Sequence, residues 1–195
     1  MAKHVRAYIG LGGNVGDVAA NLRNAVRALA ALPGVRLHAV SPLYRTRPVG
    51  VRDQPAFLNA VVALDVPAGP DAETGALALL GALKQLEQAI GRRHGQRWGP
   101  REIDLDLLVF GRHAMALERP DGRWLEVPHP QMRERLFVLV PLADLAPGLR
   151  PPGWGETVTS ALRRQRQQPD AETAVRRVGR LLMSRPEGRC SKQNA

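Results

Sequence analysis

The order of its hydrophobic patterns constrains the fold of this 195-residue chain more than any other sequence feature. Two segments repeat apolar residues at helical spacing, one from Asp17 to Pro33 and one from Asp71 to Gly91. Four other segments have the apolar or alternating character of β-strands. These strand segments are residues 5–11, 35–44, 57–66 and 103–110. The pattern therefore predicts a strand, a helix, two strands, a helix and a strand, in that order.

This order of elements is typical of one compact architecture, so we expect an α+β fold with a ferredoxin-like βαββαβ core and C-terminal additions. A hairpin-like segment and a short helix near Met132 should follow the core up to about Ala146. We place the domain at residues 1–160 and a basic C-terminal extension at residues 161–195. The few apolar residues near Val175 leave a short amphipathic helix and a frayed, partly disordered end equally open.

Composition restricts the environment of the protein. With 44% hydrophobic and 24% charged residues, the chain can bury a sizeable core. Its single cysteine, Cys190, excludes a disulfide within the chain and fits a reducing compartment. No apolar run approaches the roughly 18 residues that span a bilayer, and the N-terminus lacks a signal-peptide cleavage region. We therefore expect a cytoplasmic protein with no membrane partner.

The net charge of +10 raises the question of nucleic-acid binding. Residues 161–195 hold nine of the 28 basic and three of the 18 acidic residues, so most of the excess lies there. The mildly basic body suits a local anionic ligand better than a nucleic acid. An RNA-binding module is the rival hypothesis, although 4% aromatic residues support it poorly. A basic tail that docks separately on an anionic partner is a third.

Two aspartates, Asp104 and Asp106, lie in the last strand segment. Because side chains alternate along a strand, both should lie on one face, roughly 7 Å apart at their Cα atoms. The opposite, buried face would comprise Ile103, Leu105, Leu107 and Val109. Paired carboxylates repel each other unless a cation neutralises them, and carboxylate and phosphate oxygens are ligands that Mg²⁺ prefers. An exposed acidic edge strand is the alternative.

Arginines are concentrated in the glycine-rich segment directly before this strand. They are Arg92, Arg93, Arg97 and Arg101. Guanidinium groups bind phosphate oxygens bidentately, so arginines beside paired aspartates predict a phosphoryl-transfer site. A solvated basic loop that pairs with the nearby acids is the alternative.

Two weaker signals leave their function open. The glycines of residues 10–16 have the spacing G-x-G-x-x-x-G and are followed, after Asp17, by no acidic residue before Asp53, so they do not match a dinucleotide fingerprint. We interpret them as a tight turn. His129 lies between two prolines in a rigid extended segment, where a ligand contact and a structural hydrogen bond are both plausible.

One longer motif identifies a family. Residues 97–106 read R-W-G-P-R-E-I-D-L-D, and further matches are found at 8–14, 41–46, 54–59 and 127–129. From about Ala7 to Pro147 the chain resembles the 6-hydroxymethyl-7,8-dihydropterin pyrophosphokinases. The resemblance implies transfer of pyrophosphate from ATP to the hydroxymethyl oxygen of the pterin, with release of AMP, in folate biosynthesis. Its implied partners are these small molecules and not nucleic acid, and we expect a monomer.

The resemblance also implies roles for residues at the nucleotide end of the site. Asp104 and Asp106 would hold two Mg²⁺ ions that bridge the phosphates of ATP. Catalytic roles would fall to Arg92, Arg97, Trp98 and Arg101. The ATP contacts would include Glu87, Arg97, Trp98, Arg101, Leu107, His129 and Arg135. The segment 91–99 is expected to close as a lid over bound ATP.

At the other end of the site, the resemblance implies a pterin pocket. Its residues would be Thr46, Val49, Phe57, Asn59, Trp98 and Phe137. Phe57 and Phe137 would stack on the two faces of the pterin, and Asn59 would bind its polar edge. The alcohol would attack the β-phosphorus in line, with no dedicated general base.

The chain departs from the family pattern at three positions. His94 stands where an arginine is usual, which weakens its expected grip on phosphate because a free imidazole is mostly neutral near pH 7. Gly13 replaces a common serine, and Arg47 replaces a frequent proline. None of the three changes touches the two aspartates.

Overall fold

A computed structural model describes residues 3–48, 53–92, 99–119, 122, 124–168, 171 and 175–181. Several residues singled out from the sequence lie outside these ranges. They are Val49, Arg93, His94, Arg97, Trp98 and Cys190.

The described elements follow the predicted order and then continue beyond it. They are β1 (His4–Gly13), α1 (Val18–Ala30), β2 (Arg36–Val40), β3 (Pro42–Thr46), β4 (Phe57–Pro67), α2 (Ala72–Ile90), β5 (Asp104–Phe110), β6 (Met115–Glu118), β7 (Trp124–Val127), a 3₁₀ turn (Met132–Glu134), α3 (Leu136–Leu145), α4 (Val158–Arg166) and β8 (Val175–Arg180). The central sheet has the order β5-β1-β4-β3-β8, with β2 also paired to β4, and β6 and β7 form a separate hairpin. The prediction of a ferredoxin-like βαββαβ core with C-terminal additions is confirmed.

Both core helices begin and end where capping chemistry predicts. The Asp17 carboxylate accepts a hydrogen bond from the Ala20 N–H at 3.0 Å and starts α1. Asp71 does the same for α2 through the Thr74 N–H at 2.8 Å. Gly91 ends α2 with a φ of +104°, a left-handed conformation that glycine adopts without steric cost.

The strand predicted over residues 35–44 is divided in two. Ser41 separates β2 from β3, and its hydroxyl accepts a hydrogen bond from the Val61 N–H at 2.9 Å. The Ser41 N–H also donates to the Val61 carbonyl, and the next residue, Pro42, has no N–H to donate. The two short strands therefore pair with different parts of β4, at Val40–Val62 for β2 and at Tyr44–Asn59 for β3.

A hydrophobic core lies on each face of the sheet. On one face α1 and α2 pack against the strands through side chains that include Ile9, Leu22, Leu64, Leu83 and Leu105. On the other face α3 and α4 pack through side chains that include Tyr8, Val61, Val109, Leu139 and Leu162. Within the described residues, no helix is long and apolar enough to cross a membrane.

An irregularity in the pairing of β1 with β5 changes which face one apolar side chain occupies. Tyr8 pairs with Val109 and Ile9 pairs with Leu107, so Leu108 is an extra residue on β5. The bulge turns Val109 toward the core beneath α3, whereas Leu107 packs on the α1 and α2 side. The prediction that Val109 shares a face with Leu107 is therefore wrong.

The segment around Val175 forms neither a helix nor a frayed end. It is β8, which pairs antiparallel with β3 from Val175 opposite Thr46 to Arg180 opposite Pro42. β3 has an edge that is open for pairing. The contacts of this segment with β3 outweigh the weak helical spacing of its apolar residues. The boundary that we placed at residue 160 lies inside α4, and the division into domain and extension stays a prediction.

Candidate active site

A cavity of about 290 Å³ opens on the face of the sheet that α3 partly covers. Residues from β1, β3, β4, β5 and α3 line it, together with the segments that precede β5 and α3. Nine of the residues singled out from the sequence meet there: Thr46, Phe57, Asn59, Arg101, Asp104, Asp106, His129, Arg135 and Phe137. The lining runs from Gly10 to Val138, so residues up to 128 positions apart in the chain are brought to one site.

Three other predicted residues do not line the cavity. Leu107 is buried in the core beneath α1 and α2. Glu87 is 2% exposed and lies behind β5, on α2. Arg92 lies at the end of α2 and pairs with acidic side chains instead of facing the cavity. The roles implied for Val49, Arg97 and Trp98 concern residues outside the described ranges.

Strand alternation places the two aspartates as predicted. Asp104 and Asp106 both line the cavity, and Leu105 between them is fully buried on the opposite side of β5. Burial, with the negative charge of Asp104 as a second cause, raises the pKa of Asp106 above its ordinary value. A cation bound between the carboxylates would remove this repulsion.

The carboxylates of Asp104 and Asp106 suit Mg²⁺ better than a metal ion whose ligands all come from the protein. Within the described residues, no group of three or more His, Cys, Asp or Glu side chains is placed to hold a metal ion. Mg²⁺ is usually bound by one or two carboxylates, while water and substrate phosphates supply its other ligands. Asp104 and Asp106 alone could therefore provide the protein's share of such a site.

Arginines neutralise Asp104 from two directions. The Arg101 guanidinium lies 2.6 Å from Asp104 Oδ2, and that of Arg92 lies 2.8 Å from Asp104 Oδ1. Arg92 also pairs with Glu87, so it bridges α2 and the start of β5. Arg101 differs from Arg92 because it also lines the cavity, where an anion bound beside the aspartates would be within its reach.

Side chains of α2 hold the backbone between the two aspartates. Glu87 Oε1 accepts a hydrogen bond from the Leu105 N–H at 2.6 Å, and Lys84 Nζ donates to the Leu105 carbonyl at 3.1 Å. Lys84 Nζ also lies 2.9 Å from Glu87 Oε1. Burial raises the pKa of Glu87, although Lys84 and Arg92 favour its charged form. Sequence reasoning missed Lys84, and a lone lysine on a helix gives no signal of such a contact.

Asn14 connects the segment before β5, which lines the cavity, with the segment before β4. Its side chain is buried, and Oδ1 accepts a hydrogen bond from the Arg101 N–H at 2.8 Å. Its Nδ2 group donates to Gln54 Oε1 and to the Pro55 carbonyl, each at 3.0 Å. One amide therefore ties the segment before β4 to the segment before β5. The sequence contains Asn14 in a matched motif, but the pattern gave no indication of this role.

The glycines of residues 10–13 lie within β1, so their interpretation as a tight turn is wrong. Only Gly16, with a φ of +71°, occupies the turn before α1. Gly12 is needed for packing, since a Cβ atom there would lie 2.8 Å from Asn59 Oδ1. A Cβ at Gly13 would lie 2.7 Å from the Glu102 carbonyl oxygen. The close approach of β1 to these groups explains Gly12 and Gly13 without any bound nucleotide.

Part of the cavity lining combines aromatic and polar groups. Phe57 and Phe137 line it together with Asn59, which is 7% exposed. Asn59 Nδ2 donates to Thr46 Oγ1 at 2.7 Å, which orients the amide and leaves Oδ1 as an acceptor. Such an arrangement can bind a flat, apolar-faced molecule that carries N–H donors on its rim.

Another part of the lining is cationic and contains a neutral histidine. Burial, with the positive charge of Arg135 as a second cause, lowers the pKa of His129 to about 4. His129 Nδ1 accepts a hydrogen bond from the Gln131 N–H at 3.2 Å, so the neutral ring carries its proton on Nε2. Arg135 lies over the Phe137 ring at 5.4 Å from its centroid. Arg101, Arg135 and the aspartates therefore offer both signs of charge to a polyanion with its cation.

Comparison with known proteins gives a consistent result. The sequence model of the 7,8-dihydro-6-hydroxymethylpterin-pyrophosphokinase (HPPK) family matches residues 8–147. A protein of Methylorubrum extorquens named 2-amino-4-hydroxy-6-hydroxymethyldihydropteridine pyrophosphokinase is 48% identical over 157 residues, which are 80% of this chain and 91% of that protein. A Pseudomonas aeruginosa protein of the same name is 47% identical over 147 residues, 75% of this chain and 84% of that protein.

Solved structures share the fold. A crystal structure of a Plasmodium falciparum HPPK-DHPS triple mutant superposes with a TM-score of 0.72 over 91% of this chain, at 15% sequence identity. This chain spans about half the length of that one, since the match covers 47% of it. At this identity the likeness supports the architecture alone.

Proposed function

This chain belongs to the 7,8-dihydro-6-hydroxymethylpterin-pyrophosphokinase family and is therefore a pyrophosphokinase of folate biosynthesis, and we propose that its cavity binds ATP and 6-hydroxymethyl-7,8-dihydropterin. The pyrophosphoryl group of ATP would pass to the hydroxymethyl oxygen, and AMP would leave. One observation carries the assignment of the cavity: paired aspartates with Arg101 line the same cavity as an oriented amide and two phenylalanines.

Asp104 and Asp106 would hold the magnesium, as two ions in the full complex. When bound, Mg²⁺ would neutralise phosphate charge and polarise the phosphoryl oxygens. The protein supports this function by fixing the aspartates. Lys84 and Glu87 hold the Leu105 backbone between them, so the spacing of the two carboxylates is set before any ligand arrives. Such preorganisation avoids reorganisation cost during the reaction.

Arginines and His129 would hold the triphosphate. Arg101 and Arg135 line the cavity, and guanidinium forks match phosphate oxygens better than ammonium groups do. The neutral His129 can donate from Nε2 to a phosphate or ribose oxygen without adding charge. Arg92 is shared between Glu87 and Asp104, and it would keep Glu87 as a partner when Asp104 binds a cation.

Asn59, Phe57 and Phe137 would hold the pterin. The hydrogen bond from Asn59 Nδ2 to Thr46 fixes the orientation of the amide. The Asn59 carbonyl oxygen can then accept a hydrogen bond from a ring N–H of the pterin. Phe57 and Phe137 would cover the ring faces. The reaction then depends on placing the alcohol in line with the β-phosphorus, and we assign no general base to the described residues.

Several finer expectations stay predictions. They are the ATP contacts of Glu87 and Leu107, the pterin contact of Val49, the roles of Arg97 and Trp98, the closing of the segment 91–99, the monomeric state and the cytoplasmic location.

A product assay tests the proposed function. With ATP, Mg²⁺ and the hydroxymethyl pterin, the protein should release AMP and pterin pyrophosphate in equal amounts, as separated by ion-exchange chromatography. Removal of Mg²⁺ with EDTA should stop AMP release because the phosphate charge would no longer be neutralised, and omission of the pterin should stop it because the nucleophile would be missing. Formation of ADP, or AMP release without pterin, would contradict the proposal. Tight, salt-dependent binding of single-stranded RNA would favour the rival hypothesis instead.

Substitution of Gly12 with alanine tests the proposed contact of Asn59 with the pterin. The new Cβ would lie 2.8 Å from Asn59 Oδ1, so the amide must move from its acceptor position. We expect the KM for the pterin to rise roughly tenfold, as for the loss of one hydrogen bond, and the KM for ATP to stay within about twofold.

Gly81→Ala is the matched control, because Gly81 lies exposed within α2 and an added Cβ meets no atom within 4 Å. Its kinetics should match the wild type, and it should be more stable by about 0.5–1 kcal/mol. An unchanged pterin KM in Gly12→Ala would remove Asn59 from the pterin site.

A further inference from the structure

We propose that β8, the strand from Val175 to Arg180, positions the pterin-binding wall of the cavity by holding β3 in place. This inference rests on the proposed function. β8 lies beyond residue 147, where the family match ends, and the sequence suggested for this tail only separate docking on an anionic partner. Its contribution is indirect, because none of its residues lines the cavity.

The argument begins with the position of Thr46 at the end of β3. Thr46 pairs with Phe57 on one side, in β4, and with Val175 on the other side, in β8. It is 4% exposed, it lines the cavity and its hydroxyl accepts the hydrogen bond that orients Asn59. Without β8, β3 would be the last strand of the sheet on that side. An end strand has neighbours on one side only, and its terminal residues are held less firmly.

β8 also contributes to the packing of β3 against α3. Val175 packs on the core that contains Tyr44, and the Tyr44 hydroxyl donates to Asp144 Oδ2 at 2.6 Å. Burial, with Asp144 as a second cause, raises the pKa of Tyr44 to about 12, so the phenol keeps this proton. Asp144 belongs to α3, the helix that carries Phe137. β3 is thereby linked to both walls of the proposed pterin pocket.

The segment between β3 and β4 provides the third step. It begins immediately after Thr46 and reaches Phe57, and its far end is tied to Asn14 through Gln54 and Pro55. Its near end follows Thr46, which is held by its pairing with Phe57 and Val175 and by the hydrogen bond from Asn59. β8 therefore helps to fix the end of this segment that Asn14 does not reach.

A pair of proline substitutions separates strand pairing from charge. In a strand, neighbouring N–H groups point to opposite sides, so Arg176→Pro with Arg177→Pro must remove one hydrogen bond to β3. The matched control is Arg176→Ser with Arg177→Ser, which removes the same two exposed charges and keeps both N–H groups. We expect the proline pair to raise the KM for the pterin about 3- to 10-fold, with the KM for ATP unchanged. The serine pair should behave as the wild type.

Two further measurements keep the test decisive. Partial unfolding would lower the concentration of active enzyme and thus the apparent kcat, whereas the KM of the folded fraction would stay constant. In a Thr46→Val background the proline pair should add little to the pterin KM, because the residue through which β8 acts is already altered. An unchanged pterin KM in the proline pair, an equal rise in the serine pair, or full additivity with Thr46→Val would each overturn the inference. Failure of the wild type to turn over the pterin would instead reject the proposed function.

Discussion

Asp106→Asn should lower kcat by about a thousandfold or more while the protein stays folded. Asparagine keeps the shape of the side chain but loses the negative charge that would bind Mg²⁺, and a metal ion supplies several kcal/mol of charge stabilisation in the transition state. Asp104→Asn should have a similar effect. Steady-state measurement of AMP release at saturating ATP and pterin gives kcat directly.

The stability of Asp106→Asn should not fall with its kcat, and in the absence of Mg²⁺ it should stay the same or rise. Because burial and Asp104 raise the pKa of Asp106, its charge destabilises the metal-free fold at neutral pH. Asp106→Asn should therefore melt at the same or a higher temperature than the wild type when Mg²⁺ is absent.

Asp65→Asn is the matched control, since Asp65 also lies in a strand and pairs with Arg6 at 2.7 Å, away from the cavity. The hydrogen bond from Arg6 lowers the pKa of Asp65, so its charge favours the folded state and its loss should lower the melting temperature slightly. Activity of Asp65→Asn should be unchanged. Retention of more than a tenth of the wild-type kcat in Asp106→Asn would exclude a metal-binding role for this carboxylate.

Arg101→Ala should reduce kcat by about a thousandfold, within the range found when an arginine that stabilises phosphoryl-transfer charge is removed. The Arg101 side chain lines the cavity and lies 2.6 Å from Asp104, so it is placed for both the carboxylate and a phosphate. Its backbone N–H, which donates to Asn14, is untouched by the substitution. The loss should therefore reflect the guanidinium and not the connection to the pterin side.

Arg101→Lys should recover only part of the activity, because an ammonium group keeps the charge but lacks the planar fork. Arg133→Ala serves as the control, since Arg133 forms an ion pair with Glu156 at 2.6 Å outside the cavity. Kinetics of the three variants, with ATP and pterin varied separately, distinguish a transition-state effect from a binding effect. A kcat of Arg101→Ala within tenfold of the wild type would place the residue outside the catalytic machinery.

Local patterns were sufficient to predict the core of the fold. The caps at Asp17 and Asp71 and the helical spacing that follows them agree with the strand patterns, so each level of the sequence favours the same arrangement. The break at Ser41, the bulge at Leu108 and the pairing of β8 were not predictable in this way. All three depend on which strand lies alongside, and that information is not local.

The same distinction between local and non-local information applies to the residues of the candidate site. Asp104 and Asp106 could be placed on one face because alternation is a property of the strand alone. The role of Asn14 could not be foreseen, since its hydrogen-bond partner Arg101 is 87 residues away. Lys84 was likewise missed, and Glu87 was expected to contact ATP and not the Leu105 backbone, because these contacts join a helix to the backbone of a strand that follows it.

The hydrogen bonds of Lys84 and Glu87 to Leu105 have a consequence for the behaviour of the protein at high concentration. β5 is the last strand of the central sheet on its side, and the free backbone groups of such a strand can pair with another chain. At Leu105, both the N–H and the carbonyl are already occupied by helix side chains. β5 can thus lie at the edge of the sheet, where its two aspartates are accessible to a bulky charged ligand. At Leu105 it has no free backbone groups with which a strand of another chain could pair and start aggregation.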